Sequence, residues 1–229
     1  MENYLEPTPW DQRNFLINTY QLTSGIEAAL KQASETEGHF TVKMTPEENT
    51  ENLQKYGFYY VDTLIEPVCR RDQLQHVEQK DIQFTRDYDR EEILAIAGEA
   101  FSGGRFHRDF NVPDYMADRR YRNWVNDLVE EDLILALVMD GRTAGFFAYQ
   151  GDKILLLAMH SDFRGKGLSR AFTSQCVAEQ FRLTGHDTLR TSISPANPAS
   201  LNVFISIGFR LNGAVDVYHK LNGSLPVGG

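Results

Sequence analysis

KILLLAMHSDFRGKGLSRAFTSQCVAEQFRL, residues 153 to 183, holds the reading that decides the fold. An apolar run from Ile154 to Met159 ends in a short polar turn. Arg164-Gly165-Lys166-Gly167-Leu168-Ser169 follows, and then apolar residues recur at helical spacing. Strand, glycine-rich turn and helix start together make a shape that binds an anion. Glycines let backbone N–H groups approach a phosphate, and the first helical turn adds unpaired donors and the positive end of its dipole. The loop lacks the spacing of a P-loop, and Arg170 stands where a dinucleotide fingerprint needs its third glycine.

Upstream, Leu133–Met139, Ala144–Tyr149 and Ile154–His160 read as three strands. Asp140-Gly141 and Gly151-Asp152 are tight-turn signals, so the three form an antiparallel meander. Before them, Ile82–Thr85 reads as a strand and Arg90–Phe101 as a helix that Ser102-Gly103-Gly104 breaks. A second helix is expected from Asp114 to Leu128. Downstream come a strand at Leu189–Ile193, a helix at Pro198–Ile207 stopped by Gly208, and a strand at Val215–Leu221. The first 80 residues have another rhythm. It consists of an apolar stretch around Phe15 to Tyr20, a helix to about Ser34, a strand at Phe40–Met44, a short helix at Asn49–Lys55 closed by Gly57, and a strand at Phe58–Ile65. Arg70–Asp81 reads as a linker or exposed helix. The domains expected are therefore 1–80, a small α/β unit, and 81–222, with 223–229 as a tail.

The chain has 229 residues, 41% hydrophobic and 24% charged, which suits a soluble globular protein with a sizeable core. Its net charge of -9 argues against a general nucleic-acid or anionic-membrane binder. Two cysteines, Cys69 and Cys176, form no CxxC and no Cys/His cluster, so no metal is expected. The N-terminus has no basic segment followed by an apolar core, and the apolar runs fall far below the ~20 residues of a membrane span. The expected location is cytoplasmic.

The loop resembles the acyl-CoA loop of the GNAT N-acetyltransferases, Arg/Gln-x-x-Gly-x-Gly/Ala, here Arg164-x-x-Gly167-x-Ser169. A second match lies downstream. The family carries Asn-x-x-Ala-x-x-Leu-Tyr-x-x-x-Gly-Phe, and this chain has Asn197, Ser200, Val203, Phe204, Gly208 and Phe209 in that register. The resemblance covers about residues 82–221. It implies an α/β fold, a mixed and mostly antiparallel twisted sheet flanked by helices, preceded here by the small unit. It implies acetyl-CoA as cosubstrate, its pyrophosphate on Arg164, Gly165, Lys166, Gly167, Leu168 and Ser169, its pantetheine arm along Leu157 to Met159, and Asn197 and Phe204 beside the arm. A backbone N–H near Met159 would meet the oxyanion. Many members have a tyrosine acid where this chain has Phe204; Tyr218 is one replacement, water another.

The acceptor side is similar to that of the dTDP-fucosamine acetyltransferase group, through Ala100-Phe101, Arg105-Phe106 and Tyr121-x-x-Trp124. That group also carries a small N-terminal unit with a Leu-x-x-x-Gly-Phe stretch, here Leu53 to Phe58. The resemblance implies a nucleotide-linked amino sugar as acceptor; another small amine, or a binding domain without catalysis, stays open. Candidate substrate contacts are Glu99, Arg105, Phe106, His107, Asp109 and Tyr121. His107, or a water, would take the proton of the attacking amine, and Arg105 and Arg108 would meet a substrate phosphate. Family members are often dimers, so a homodimer is expected.

Overall fold

The computed structural model describes residues 2–101 and 103–225. The chain divides into two compact units, and the division falls elsewhere than at residue 80. The first unit comprises 1–64, 103–120 and 214–229; the second comprises 65–102 and 121–213. Ser102, expected to help break a helix, and 226–229 of the expected tail lie outside the described residues.

In chain order the elements are β1 (Leu5–Pro7), α1 (Pro9–Phe15), β2 (Thr19–Leu22), α2 (Glu27–Ser34), β3 (Gly38–Met44), α3 (Glu51–Lys55) and β4 (Tyr59–Arg70). Then follow β5 (Ile82–Thr85), α4 (Arg90–Ala100), α5 (Asp114–Glu130), β6 (Ile134–Met139), β7 (Arg142–Gln150) and β8 (Lys153–Met159). The last are α6 (Ser169–Thr184), β9 (Thr188–Arg190), α7 (Pro198–Ser206) and β10 (Arg210–Asn222). The meander and all four helices expected after residue 81 are present, with ends shifted by a few residues. The apolar stretch near Phe15 resolves into α1 and β2. Of the charged run from Arg70, only Arg71–Gln73 is helical, as a single 3-10 turn.

The second unit orders its strands β4-β9-β8-β7-β6-β5. The pairs β5–β6, β6–β7, β7–β8 and β4–β9 are antiparallel, and β8–β9 is parallel. Alternation along β7 sends neighbouring aromatics to opposite faces. Phe147 packs with Phe172 and Phe181 of α6, Phe204 of α7 and Phe209 just before β10. Phe146 packs with Ile93, Ile96, Val125 and Leu128 from α4 and α5. The sheet is thus covered by two helices on each face, the layering that lets both sides of its strands be apolar. The helix ends are built locally. Asp89 caps α4 by accepting the N–H of Glu91 at 2.8 Å, with Glu91 and Glu92 in its first turn, where the dipole favours them. Gly185, at φ 71°, closes α6 in the left-handed region and donates its N–H to Phe181 O at 3.2 Å.

The first unit orders its strands β1-β2-β3-β10-β4. Here β3 alternates as well. Phe40 and Val42 enter a core with Leu30 of α2, Leu53 of α3 and Phe58. On the opposite face the ring of His39 lies 5.7 Å from that of Phe15, which packs with Phe106, Val112 and Met116.

Candidate active site

The divergence of β8 from β9 is the feature on which the site in the second unit depends. The two strands pair only at Lys153↔Arg190. Next to that pair, Arg190 donates its N–H to Asp152 O at 2.9 Å, and the Thr191 hydroxyl donates to Ile154 O at 3.4 Å. Beyond it β8 runs on to Met159 on its β7 side alone, with Gly145↔Met159 in register. β9 has ended by then, and Ile193 bridges to Ile65 instead. Two parallel strands that part in this way leave backbone donors and acceptors of one edge open to an extended amide.

Met159 shows which edge. His160 donates its N–H to Ala144 O at 2.9 Å. Backbone groups alternate sides along a strand, so the N–H and C=O of Met159 face away from β7, into the divergence. Its carbonyl takes a hydrogen bond from Arg164 Nε at 2.8 Å. Its side chain is buried with Leu157 packed nearby, on the α6 side of the sheet.

The glycine loop follows. Gly165 and Gly167 have φ of 72° and 75°, and a Cβ at either would meet nothing within 4 Å. The glycines are thus required by backbone conformation and face open space, not a packed wall. α6 then opens at Leu168 without a side-chain cap, and an anion is the natural partner for such an uncapped turn. Lys166 leans over the Phe163 ring at 5.6 Å, and the Ser169 hydroxyl reaches Met159 Sδ at 3.5 Å. The donors, the open surface and the two basic side chains suit a pyrophosphate, so the residues fit the phosphate end of coenzyme A.

Asn197 caps α7: its side-chain oxygen accepts the Ser200 N–H at 3.1 Å, and Pro198 occupies the first turn. Phe204 is 5% exposed, its ring set edge-on to Phe209 at 4.9 Å inside the core. The Gly208 that ends this motif has a steric reason. With φ at 105°, a Cβ there would lie 2.2 Å from the backbone oxygen of Gln73.

The expected acceptor residues fall into both units. In the second, Glu99 is exposed and stands 3.9 Å from Arg164; Tyr121 stacks on Phe101, centroids 5.5 Å apart. In the first, Arg105 lies over the Phe106 ring at 4.8 Å, and Phe106 is fully buried. His107 Nε2 lies 3.0 Å from Asp118 Oδ1. Arg108 is paired with the buried Asp62. Tyr218 is half-buried and meets Tyr60 edge-on at 5.8 Å.

Asp109 differs most from what its loop position suggested. It is 1% exposed, and its carboxylate already takes four hydrogen bonds. His39 Nε2 and His219 Nδ1 lie 3.0 and 2.7 Å from Oδ2. The Tyr59 hydroxyl and the Asn111 N–H donate to Oδ1 at 2.7 and 3.0 Å. Burial alone would raise this carboxyl, but the hydrogen bonds from His219 and His39 outweigh it and hold the group well below the usual carboxylate range. Burial pushes the His219 imidazole down to about 3, against the hydrogen bond to Asp109. Sequence reasoning missed His39 and His219, which lie 70 and 110 positions from Asp109. His219 carries one signal, a histidine on a strand face otherwise made of Val215, Val217 and Leu221; His39 carries none, since Thr41 and Lys43 share its face.

No family model matches the chain, and no curated protein does. Many solved structures do. The GCN5-related N-acetyltransferase from Sphaerobacter thermophilus is similar at TM-score 0.66 and 10% identity, covering 97% of this chain and 78% of its own. The one from Kribbella flavida is similar at TM-score 0.57 and 13% identity, covering 90% and 82%. The chain has the GNAT fold. A third neighbour is the GCN5-related glucosamine N-acetyltransferase region of a fungal multi-domain β-N-acetylglucosaminidase, at TM-score 0.57 and 11% identity, covering 88% of this chain and 30% of that one. The mixed, mostly antiparallel sheet with flanking helices is the architecture expected from the loop and the Asn197–Phe209 motif. Among the described residues, no helix is long and apolar enough to cross a membrane.

Proposed function

We propose that the protein transfers an acetyl group from acetyl-CoA to a primary amine. The observation that carries this is the parting of β8 and β9 after a single pair, beside the open, uncapped loop from Arg164 to Ser169. In this reading the loop and Lys166 hold the pyrophosphate, and the free edge of β8 from Leu157 to Met159 pairs with the amides of the arm. Acetyl-CoA supplies the thioester. The neutral amine attacks its carbonyl, and the Met159 N–H, which faces the divergence, meets the oxyanion. A water takes the amine proton. Phe204 supplies no acid, so the departing thiolate is protonated by water.

The acceptor we favour is a nucleotide-linked amino sugar. Support comes from the resemblance of residues 100–124 to the dTDP-fucosamine acetyltransferase group, and a glucosamine N-acetyltransferase region shares the fold. The enzyme would work in the cytoplasm, where acetyl-CoA is made, and as a homodimer. The test is thiol release from acetyl-CoA across amines, including a dTDP-4-amino sugar, an amino acid and an aminoglycoside. Release with the sugar nucleotide above all others is the expected result. Equal release with every amine would remove the acceptor assignment. Clear binding of acetyl-CoA without release would leave a binding domain, the reading that the phenyl ring of Phe204 favours.

A further inference from the structure

The first unit contains a cluster that acetyl transfer does not use. His39 is on β3, His219 on β10, and Asp109 in the segment between α4 and α5. All three are at most 2% exposed. In the antiparallel β3–β10 ladder His39 pairs with Leu221 and His219 with Thr41. The histidines therefore stand diagonally on one face of adjacent strands, their rings 4.7 Å apart. Asp109 closes over them. One ligand atom from each residue lies within 4.8 Å of the others.

We propose that His39 Nε2, His219 Nδ1 and Asp109 Oδ2 form a binding site for a divalent transition-metal ion of the zinc type. The donor set decides the class: two imidazoles and a carboxylate suit zinc, cobalt or nickel, whereas magnesium and calcium favour oxygen. Ligand atoms of a tetrahedral site with bonds of about 2.0–2.1 Å stand roughly 3.3 Å apart. The separations of 3.0 and 2.7 Å from the carboxylate oxygen would widen by about 0.3 and 0.6 Å, and the two ring nitrogens, within 4.8 Å of each other, would close by up to about 1.5 Å. The outer shell of the carboxylate is in place. Asp109 Oδ1 is fixed by the Tyr59 hydroxyl and the Asn111 N–H, the support that orients metal-bound carboxylates.

Protons balance without an added base. Each neutral ring keeps its single proton and moves it to the nitrogen away from the metal. In His219 that nitrogen, Nε2, is buried and has no partner among the described residues. The surroundings also argue that polarity here has a purpose. The rings of Phe15 and Phe106 pack against these histidines, and an apolar filling would avoid burying three polar groups. A metal at this point joins β3, β10 and the 103–113 segment, so its binding energy adds to the stability of the unit.

The test uses the untagged chain, stripped with a chelator and titrated with Co2+ and Zn2+. The site predicts the visible d–d absorption of tetrahedral Co2+ saturating at a single ion per chain, and a Tm raised by several degrees with excess Zn2+. His39→Gln and Asp109→Asn, checked for native circular dichroism, should lose both. Stripped wild-type protein that shows no absorption and no Zn2+-dependent Tm overturns the proposal and leaves a hydrogen-bonded cluster only. Folded variants that bind as wild type place the metal elsewhere and overturn it equally.

Discussion

Replacing Gly167 by aspartate tests the anion loop at its centre. The glycine has φ 75° and nothing within 4 Å of a would-be Cβ. The cost to the fold is therefore the left-handed backbone alone, roughly 1–2 kcal/mol and at the low end for aspartate. The effect on a pyrophosphate is larger. A carboxylate about 5 Å from a phosphate charge repels it by about 1 kcal/mol in water and about 3 kcal/mol at an effective dielectric of 20. Two such charges give about 2–6 kcal/mol, and each 1.4 kcal/mol is about tenfold in affinity. Gly167→Asp should thus weaken acetyl-CoA binding by at least ~30-fold by calorimetry, with Tm falling only a few degrees. Gly167→Asn has the same shape without the charge and should lose much less. Wild-type affinity in the aspartate variant refutes the placement of the anion.

Gly208→Ala should destabilise the protein by about 3 kcal/mol or more in urea, because its Cβ would sit 2.2 Å from Gln73 O at a positive φ; an unchanged midpoint would show that the 73–75 segment does not run there. Cys69 and Cys176 are fully buried, and burial pushes the Cys69 thiol up to about 11; both should resist a thiol reagent at pH 8 until the chain is unfolded, and prompt labelling would contradict the packing.

The second unit was legible because its signals are local. The loop glycines, the Asp140-Gly141 and Gly151-Asp152 turns and the Asn197–Phe209 motif each fix a conformation within a few residues. The divergence of β8 and β9 has no such local signal, since strand pairing between distant segments leaves no periodic trace. The expected boundary at residue 80 follows the change in the rhythm of the elements and the linker-like run before it. The contact division depends instead on which distant strands pair, and so gathers 103–120 and 214–225 into the first unit. Asp109 shows the same limit on one residue. In sequence it is an acidic residue in a polar loop; its burial is set by His39 and His219, which no spacing rule connects to it. Phe204 reads as a departure from a catalytic tyrosine, and the structure adds that its ring is held in the core by Phe209.

The central claim is that this chain moves an acetyl group from coenzyme A to an amine. It is tested most directly by incubating the purified protein with acetyl-CoA and a dTDP-4-amino sugar, following free thiol, and identifying the amide by mass spectrometry. The account predicts thiol and N-acetylated product in equal amounts, both lowered at least ~30-fold by Gly167→Asp at limiting acetyl-CoA. Calorimetry showing no binding of acetyl-CoA, with no thiol released from any amine, would contradict it.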